Sequence, residues 1–314
     1  MFQHILVPLD GSWRAEQALP IAARIARVTG GSVLLVQVVN PPIDYSGGMA
    51  LVPLMSQEVI ESEMAAATDY LKTIAASPGL AGIETRTEVS FGLPAQDIIA
   101  TAEAHESDLI VLCSHGRTGF TRWALGSVAH TLVHHSTVPV LVLRQSEAPS
   151  PLLNVGTAHP LRALVPLDGS QLAESALNPA AHLIAALATP AQGALYLVQV
   201  IKPSSTTVGK GAASEPNEEA RKSARTYLAT VAEHLQATEK DLHLSLTYSV
   251  KLEADVADAL LSLAEREGVG SCDLIAISTH GRGGLARWVM GSVTERVLNT
   301  TKLPMLIVRP QKKG

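Results

Sequence analysis

The chain contains one sequence pattern twice. VPLDGSWRAEQAL at 7–19 returns as VPLDGSQLAESAL at 165–177, SHGRTGFTRWALGSV at 114–128 as THGRGGLARWVMGSV at 279–293, and VPVLVLR at 138–144 as LPMLIVR at 303–309. The blocks keep their order, and the offset grows only from 158 residues at Asp10/Asp168 to 165 at Gly116/Gly281. Solenoid arrays repeat every 20 to 50 residues or so, so this is the duplication of a whole domain. A length of 314 residues with 46% hydrophobic side chains gives each copy enough apolar material for a core.

Within a copy, apolar runs of strand length alternate with helical spacing. ILVPLD (5–10) ends in a turn, 15–26 has helical periodicity, and SVLLVQVV (32–39) reads as a second strand. Residues 57–75 read as a helix with Glu58, Glu61 and Glu63 near its positive end, and IETRTEVSF (83–91) as a strand. LPAQDIIATAEA (93–104) reads as a helix, DLIVLCSHG (108–116) as a buried strand running into a glycine loop, and GSVAHTLVHHS (126–136) as a helix before VPVLVLR closes the unit. This alternation predicts an α/β fold: two tandem, doubly wound, Rossmann-like domains, each with a five-stranded parallel sheet covered on both faces. The expected boundaries are 1–146 for the first domain, 147–160 for a proline-containing linker without periodicity, and 161–314 for the second. Segments 40–58 and 202–219 read as loops over the top of the sheets. The final apolar strands leave an uncovered edge, so the two copies are expected to dock through them as a pseudo-two-fold pair.

The net charge of −5 and the 4% aromatic content offer neither a basic field for a phosphate backbone nor base-stacking rings, which argues against nucleic-acid binding. Most of the imbalance lies in residues 1–150, with 8 basic against 14 acidic side chains. Cys113 and Cys272 are too few for a disulfide framework or a thiolate metal cage, and fit a reducing, cytoplasmic compartment. The N-terminus reads as a strand, not a signal peptide. Residues 175–201 carry no Asp, Glu, Lys or Arg, but Asn178, Pro179, His182, Pro190, Gln192 and Gly193 interrupt them, so they read as helix, turn and strand rather than as a membrane span.

In an open parallel sheet, ligands bind beyond the carboxyl ends of the strands where the strand order reverses. Asp10 and Asp168 end the first strand of each copy, and Ser-His-Gly and Thr-His-Gly turns end the fourth. Gly116 followed by Gly126-Ser127, and Gly281 followed by Gly291-Ser292, set a glycine turn and a helix start around one space. Free amides, the helix dipole and a serine hydroxyl there suit a phosphate, and Arg117, Arg122, Arg282 and Arg287 lie nearby in sequence. No G-x-x-x-x-G-K-[ST] loop and no G-x-G-x-x-G fingerprint is present. The plainer reading of Leu-Asp-Gly-Ser is a helix cap by Asp10 or Ser12. His115 and His280 read as structural or ribose contacts rather than bases, His134-His135 as a helix end rather than a metal pair, Cys113 as packing, and Trp123 and Trp288 as cover over the loop.

The chain resembles the universal stress proteins in their tandem form. Their nucleotide-binding motif G-x2-G-x9-G-[ST] is matched at Gly116, Gly126 and Ser127 and at Gly281, Gly291 and Ser292, with Cys113 and Ser278 replacing the leading glycine. The resemblance implies the nucleotide-binding α-hydrolase type of fold and an ATP site, with ADP or AMP as variants and Mg2+ accompanying the nucleotide. It puts Pro8, Leu9, Asp10 and Val38 at the adenosine end, and Cys113, His115, Gly116, Gly126, Ser127 and Val128 at the ribose and phosphates. The second copy offers Pro166, Leu167, Asp168, Val200, Ser278, His280, Gly281, Gly291, Ser292 and Val293. Gly92 aligns with Glu253, a carboxylate that ranks the second site below the first. The expected role is a stress-response binding module with little or slow hydrolysis, paired within the chain and able to form a homodimer. A nucleotide-free scaffold and a slow ATPase or adenylating enzyme are the alternatives.

Overall fold

The computed structural model describes residues 1–40, 57–114, 125–144, 150–153, 160–203, 215–266, 270–281 and 290–310. The chain divides into two compact units, Met1–Val140 and Leu141–Gly314.

The first copy runs β1 (His4–Pro8), α1 (Trp13–Glu16), α2 (Leu19–Thr29), β2 (Ser32–Val39), α3 (Gln57–Ala75), β3 (Thr85–Phe91), α4 (Pro94–Ala104), β4 (Leu109–Cys113), α5 (Ser127–His135) and, at the boundary, β5 (Val140–Leu143). Its strand order is β3-β2-β1-β4-β5. The second copy repeats this as β6 (Arg162–Pro166), α6 (Gln171–Glu174), α7 (Leu177–Ala188), β7 (Gly193–Ile201), α8 (Glu215–Thr238), β8 (Leu244–Leu252), α9 (Val256–Ala264), β9 (Leu274–Ser278), α10 (Ser292–Thr300) and β10 (Met305–Val308), in the order β8-β7-β6-β9-β10. Pairing is parallel, with Ile5 beside both Val33 and Leu109, and Ala163 beside both Leu195 and Leu274. The fold is the doubly wound α/β arrangement that the alternation predicts.

Parallel strands need crossovers, and right-handed ones place α2 and α3 on one face of the first sheet and α4 and α5 on the other. The central strands are therefore covered on both sides: every residue of β4 and of β9 is buried, as are Ile5–Val7 and Ala163–Val165. An aspartate ties each strand start in place. Asp108 accepts hydrogen bonds from the amides of Gln3 (2.8 Å) and His4 (3.1 Å), and Asp273 accepts one from the amide of Arg162 (2.8 Å).

One predicted helix is two. The periodicity at 15–26 spans α1 and α2, which are separated at Gln17-Ala18. Pro20 has no amide to donate back to Glu16, and α1 closes with the tighter bonds Gln17 N–H to the Arg14 carbonyl (3.2 Å) and Ala18 N–H to the Ala15 carbonyl (3.1 Å). In the second copy α6 closes with the same pattern, Ser175 N–H to the Leu172 carbonyl (3.3 Å) and Ala176 N–H to the Ala173 carbonyl (3.3 Å), although Asn178 stands where the first copy has Pro20. The charge-free stretch 175–201 resolves into α7 and β7, and among the described residues no helix is long and apolar enough to cross a membrane. Most of the two predicted loops, at 41–56 and 204–214, lies outside the described residues; of 147–160, Pro151–Leu153 form a single 3-10 turn.

Leu164 lies in the central strand β6 with 0% exposure. Leu164→Ala is expected to destabilise the protein by about 2–5 kcal/mol in urea unfolding. Val28→Ala, at a residue 43% exposed, should stay within about 0.5 kcal/mol of the parent.

Candidate nucleotide site

Each copy leaves its first strand through a Leu-Asp-Gly-Ser turn. Asp168 Oδ1 accepts from the Ser170 amide (3.0 Å) and hydroxyl (2.6 Å), and Ser170 Oγ accepts from the Ala173 amide (3.2 Å) to cap α6. Asp10, Ser12 and Ala15 repeat the same three bonds at the same lengths. The cap is thus Ser12 or Ser170, and the aspartate orients the cap. Glycine is required between them, since Gly11 and Gly169 have φ of 79° and 85°. The second carboxylate oxygen faces the turn that follows β9: a Cβ on Gly281 would lie 2.2 Å from Asp168 Oδ2. Only a residue without a side chain lets that turn rest against the aspartate.

The helix start is held to the same strand end. Gly291 N–H donates to the Thr279 carbonyl (2.8 Å), Thr294 Oγ1 donates to the Ser278 carbonyl (2.9 Å), and Gly126 N–H donates to the Ser114 carbonyl (2.7 Å) in the first copy. Gly291 and Gly126 are the N-caps of α10 and α5, and neither brings a side-chain oxygen to the first-turn amides. A helix start of this kind presents N–H groups and a partial positive charge to whatever lies in front of it.

In front of α10 is a cavity of about 870 Å³. The ten residues that the sequence points to in the second copy, Pro166, Leu167, Asp168, Val200, Ser278, His280, Gly281, Gly291, Ser292 and Val293, all line it. Val198, Val256, Leu260, Ile277 and Met290 supply apolar wall, and Lys202 a cation. A volume of this size suits a cofactor-sized ligand. The donor set also fits a nucleotide, with amides, a serine hydroxyl and one ammonium near an apolar wall. His280 Nδ1 is 2.8 Å from Thr279 Oγ1, so its ring is oriented from the strand side.

In the first copy, Pro8 ends β1 with Leu9 and Asp10 just after it, Val38 lies in β2, Cys113 ends β4, and Gly126 caps α5, which begins with Ser127 and Val128. His115 and Gly116 lie outside the described residues, as do Arg117, Arg122, Trp123, Arg282, Arg287 and Trp288. The missing leading glycine is not a matter of backbone strain, because Cys113 and Ser278 are the extended last residues of strands and neither has positive φ. Glu253, aligned with Gly92, is exposed and does not line the cavity, although its amide donates to the carbonyl of Ile201, which does (3.0 Å).

Sequence reasoning missed Gln199 and Lys202. Gln199 lines the cavity, is 7% exposed, and holds Oε1 buried without a hydrogen-bond partner among the described residues. Gln37 Oε1 in the first copy is buried and unpartnered in the same way. The signal was present in the sequence as a glutamine at the same place in two otherwise apolar strands, VLLVQVV and ALYLVQVI.

Burial, with Asp10 adding to it, pushes the Cys113 thiol up to about 12, and burial pushes Cys272 to about 12 as well. At pH 8 about one such thiol in ten thousand is ionised. Neither cysteine should react with an aromatic disulfide reagent in the native protein while both react at once in denaturant. Rapid native labelling would contradict this picture.

The sequence model of the universal stress protein family matches residues 1–144 and 161–309. A universal stress protein of Mycolicibacterium smegmatis is 24% identical over 313 residues, covering 98% of this chain and 97% of its own. One from Methanocaldococcus jannaschii is 32% identical over 149 residues, covering 46% of this chain and 84% of its own. The crystal structure of a universal stress protein from Archaeoglobus fulgidus covers 99% of this chain and 97% of its own with a TM-score of 0.65 at 20% identity, which supports the fold. Two copies of the matched domain, together spanning most of the sequence, place the chain in the universal stress protein family.

Proposed function

We propose that the chain binds an adenine nucleotide, with ATP as the preferred form and ADP or AMP as weaker ones, and serves as a binding module in a stress response. The observation that carries this reading is the cavity of the second copy, where the uncapped start of α10 and an apolar wall face the same space. Phosphates would take the amides of Ser292 and Val293 and the Ser292 hydroxyl, and the base would lie against the apolar side. Several charge-assisted bonds of about 1.5–3 kcal/mol each, made together, bring micromolar affinity, about −8 kcal/mol, within reach. Mg2+ would enter with the triphosphate, since Asp168 is the one carboxylate of the described wall and its Oδ1 is engaged with Ser170.

Hydrolysis should be slow. Asp168, Lys202 and His280 are the titratable groups of the described wall, and two of them are already engaged, Asp168 Oδ1 with Ser170 and His280 Nδ1 with Thr279 Oγ1, which does not favour either as a base. Amides that grip the phosphates stabilise the bound ground state as well as the transition state. Pairing of the copies through the final apolar strands, and a homodimer beyond it, remain part of this proposal on the strength of VPVLVLR and LPMLIVR. A reducing, cytoplasmic setting agrees with two buried free cysteines.

Titration calorimetry with MgATP tests the reading; no heat and no thermal shift at millimolar nucleotide would exclude it. A turnover above about one per second would remove the regulatory interpretation. Ser127→Asp with Ser292→Asp supplies a sharper check. A carboxylate in the first turn suits the helix dipole but repels phosphate, so ATP affinity should fall at least about tenfold with no drop in the melting temperature of the ligand-free protein.

A further inference from the structure

We infer that the carboxamides of Gln199 and Gln37 read the edge of the base, making glutamine the residue that selects adenine. This assignment rests on the adenine-nucleotide reading above. β7 is otherwise an apolar strand, with Leu195, Leu197 and Val198 buried beside Gln199. Gln199 is itself 7% exposed, lines the cavity, and leaves Oε1 without a partner among the described residues. A buried amide oxygen that makes no hydrogen bond destabilises a fold, and an apolar side chain of similar size would serve packing better.

The first copy keeps the same feature. Gln37 occupies the matching place in β2, paired to Val89 of β3 as Gln199 is paired to Val250 of β8. Its Oε1 is also buried and unpartnered. An unsatisfied group at one place could be an accident of packing. The same group unsatisfied at the same register of two diverged copies points to a shared ligand.

The chemistry of the group narrows that ligand. A carboxamide offers an acceptor and a donor side by side, and adenine offers an amino donor beside a ring-nitrogen acceptor. The oxygen and nitrogen of the amide can exchange places, so the argument concerns the head group as a whole. Val38 and Val200, one residue on, belong to the same strand ends. A site whose buried polar group depends on a ligand amine should reject an analogue that lacks it.

The test uses the full chain, ATP, and purine riboside 5′-triphosphate, which lacks the exocyclic amine. The wild-type protein is expected to bind ATP about tenfold more tightly than the analogue. Gln37→Leu with Gln199→Leu should weaken ATP binding about tenfold, bring the two ligands to equal affinity, and leave the melting temperature of the ligand-free protein unchanged or higher. A structural role for the glutamines would lower that temperature and leave the ligand preference in place, which overturns the assignment. Equal binding of ATP and the analogue by the wild-type protein overturns it without any variant. Failure of the wild-type protein to bind either triphosphate overturns both this assignment and the reading beneath it.

Discussion

The turn that leaves the first strand of each copy is the contact on which the site depends. A carboxylate bound to the amide and hydroxyl of the serine two residues on gives that serine one orientation, from which it caps the short helix beyond. The same carboxylate then limits what can approach from the fourth strand, and in the second copy Gly281 alone meets that limit. Strand end, helix cap and glycine turn are thereby coupled through one side chain. Hydrogen bonds from Gly291 and Thr294 to the end of the fourth strand bring the start of α10 to the same place. The first strand end, the fourth strand end and the start of α10 are thus positioned together.

Repetition of contacts between the copies is as informative as repetition of residues. Tyr70 donates to Glu16 at 2.9 Å and Tyr227 to Glu174 at 2.8 Å, each tying the long helix after the second strand to the short helix after the first. Burial together with that bond raises the Tyr70 pKa above its usual value, so the phenol stays a donor throughout the physiological range. These pairs stiffen the part of the fold from which the first strand delivers its aspartate.

Much of the architecture was legible because parallel strands are buried on both faces and read as continuous apolar runs; DLIVLC and CDLIAIS could hardly be anything else. The walls of the second cavity were legible because glycines and strand-end polar residues recur in both copies. The break between α1 and α2 was harder to see, since it lies inside an unbroken helical periodicity and recurs between α6 and α7 with Asn178 in the place of Pro20. That Glu253 does not line the cavity could not be read from its alignment with Gly92, which gives only a place along the chain. Gln199 escaped notice because a single neutral polar residue in an apolar strand resembles an ordinary interruption. Its significance lies in what its amide fails to touch, and a list of residues does not carry that information.

The glycine at the start of α10 has a consequence for the life of the protein as well as for its chemistry. A serine or aspartate at that position would have closed the helix with the chain's own oxygen. With glycine there, an anion bound as proposed would supply the last increment of stability, which would grow with the logarithm of that anion's concentration once the site begins to fill. Resistance to unfolding and to proteolysis would then rise and fall with the supply of the anion. The abundance of the protein would record that supply even where no partner reads the bound state.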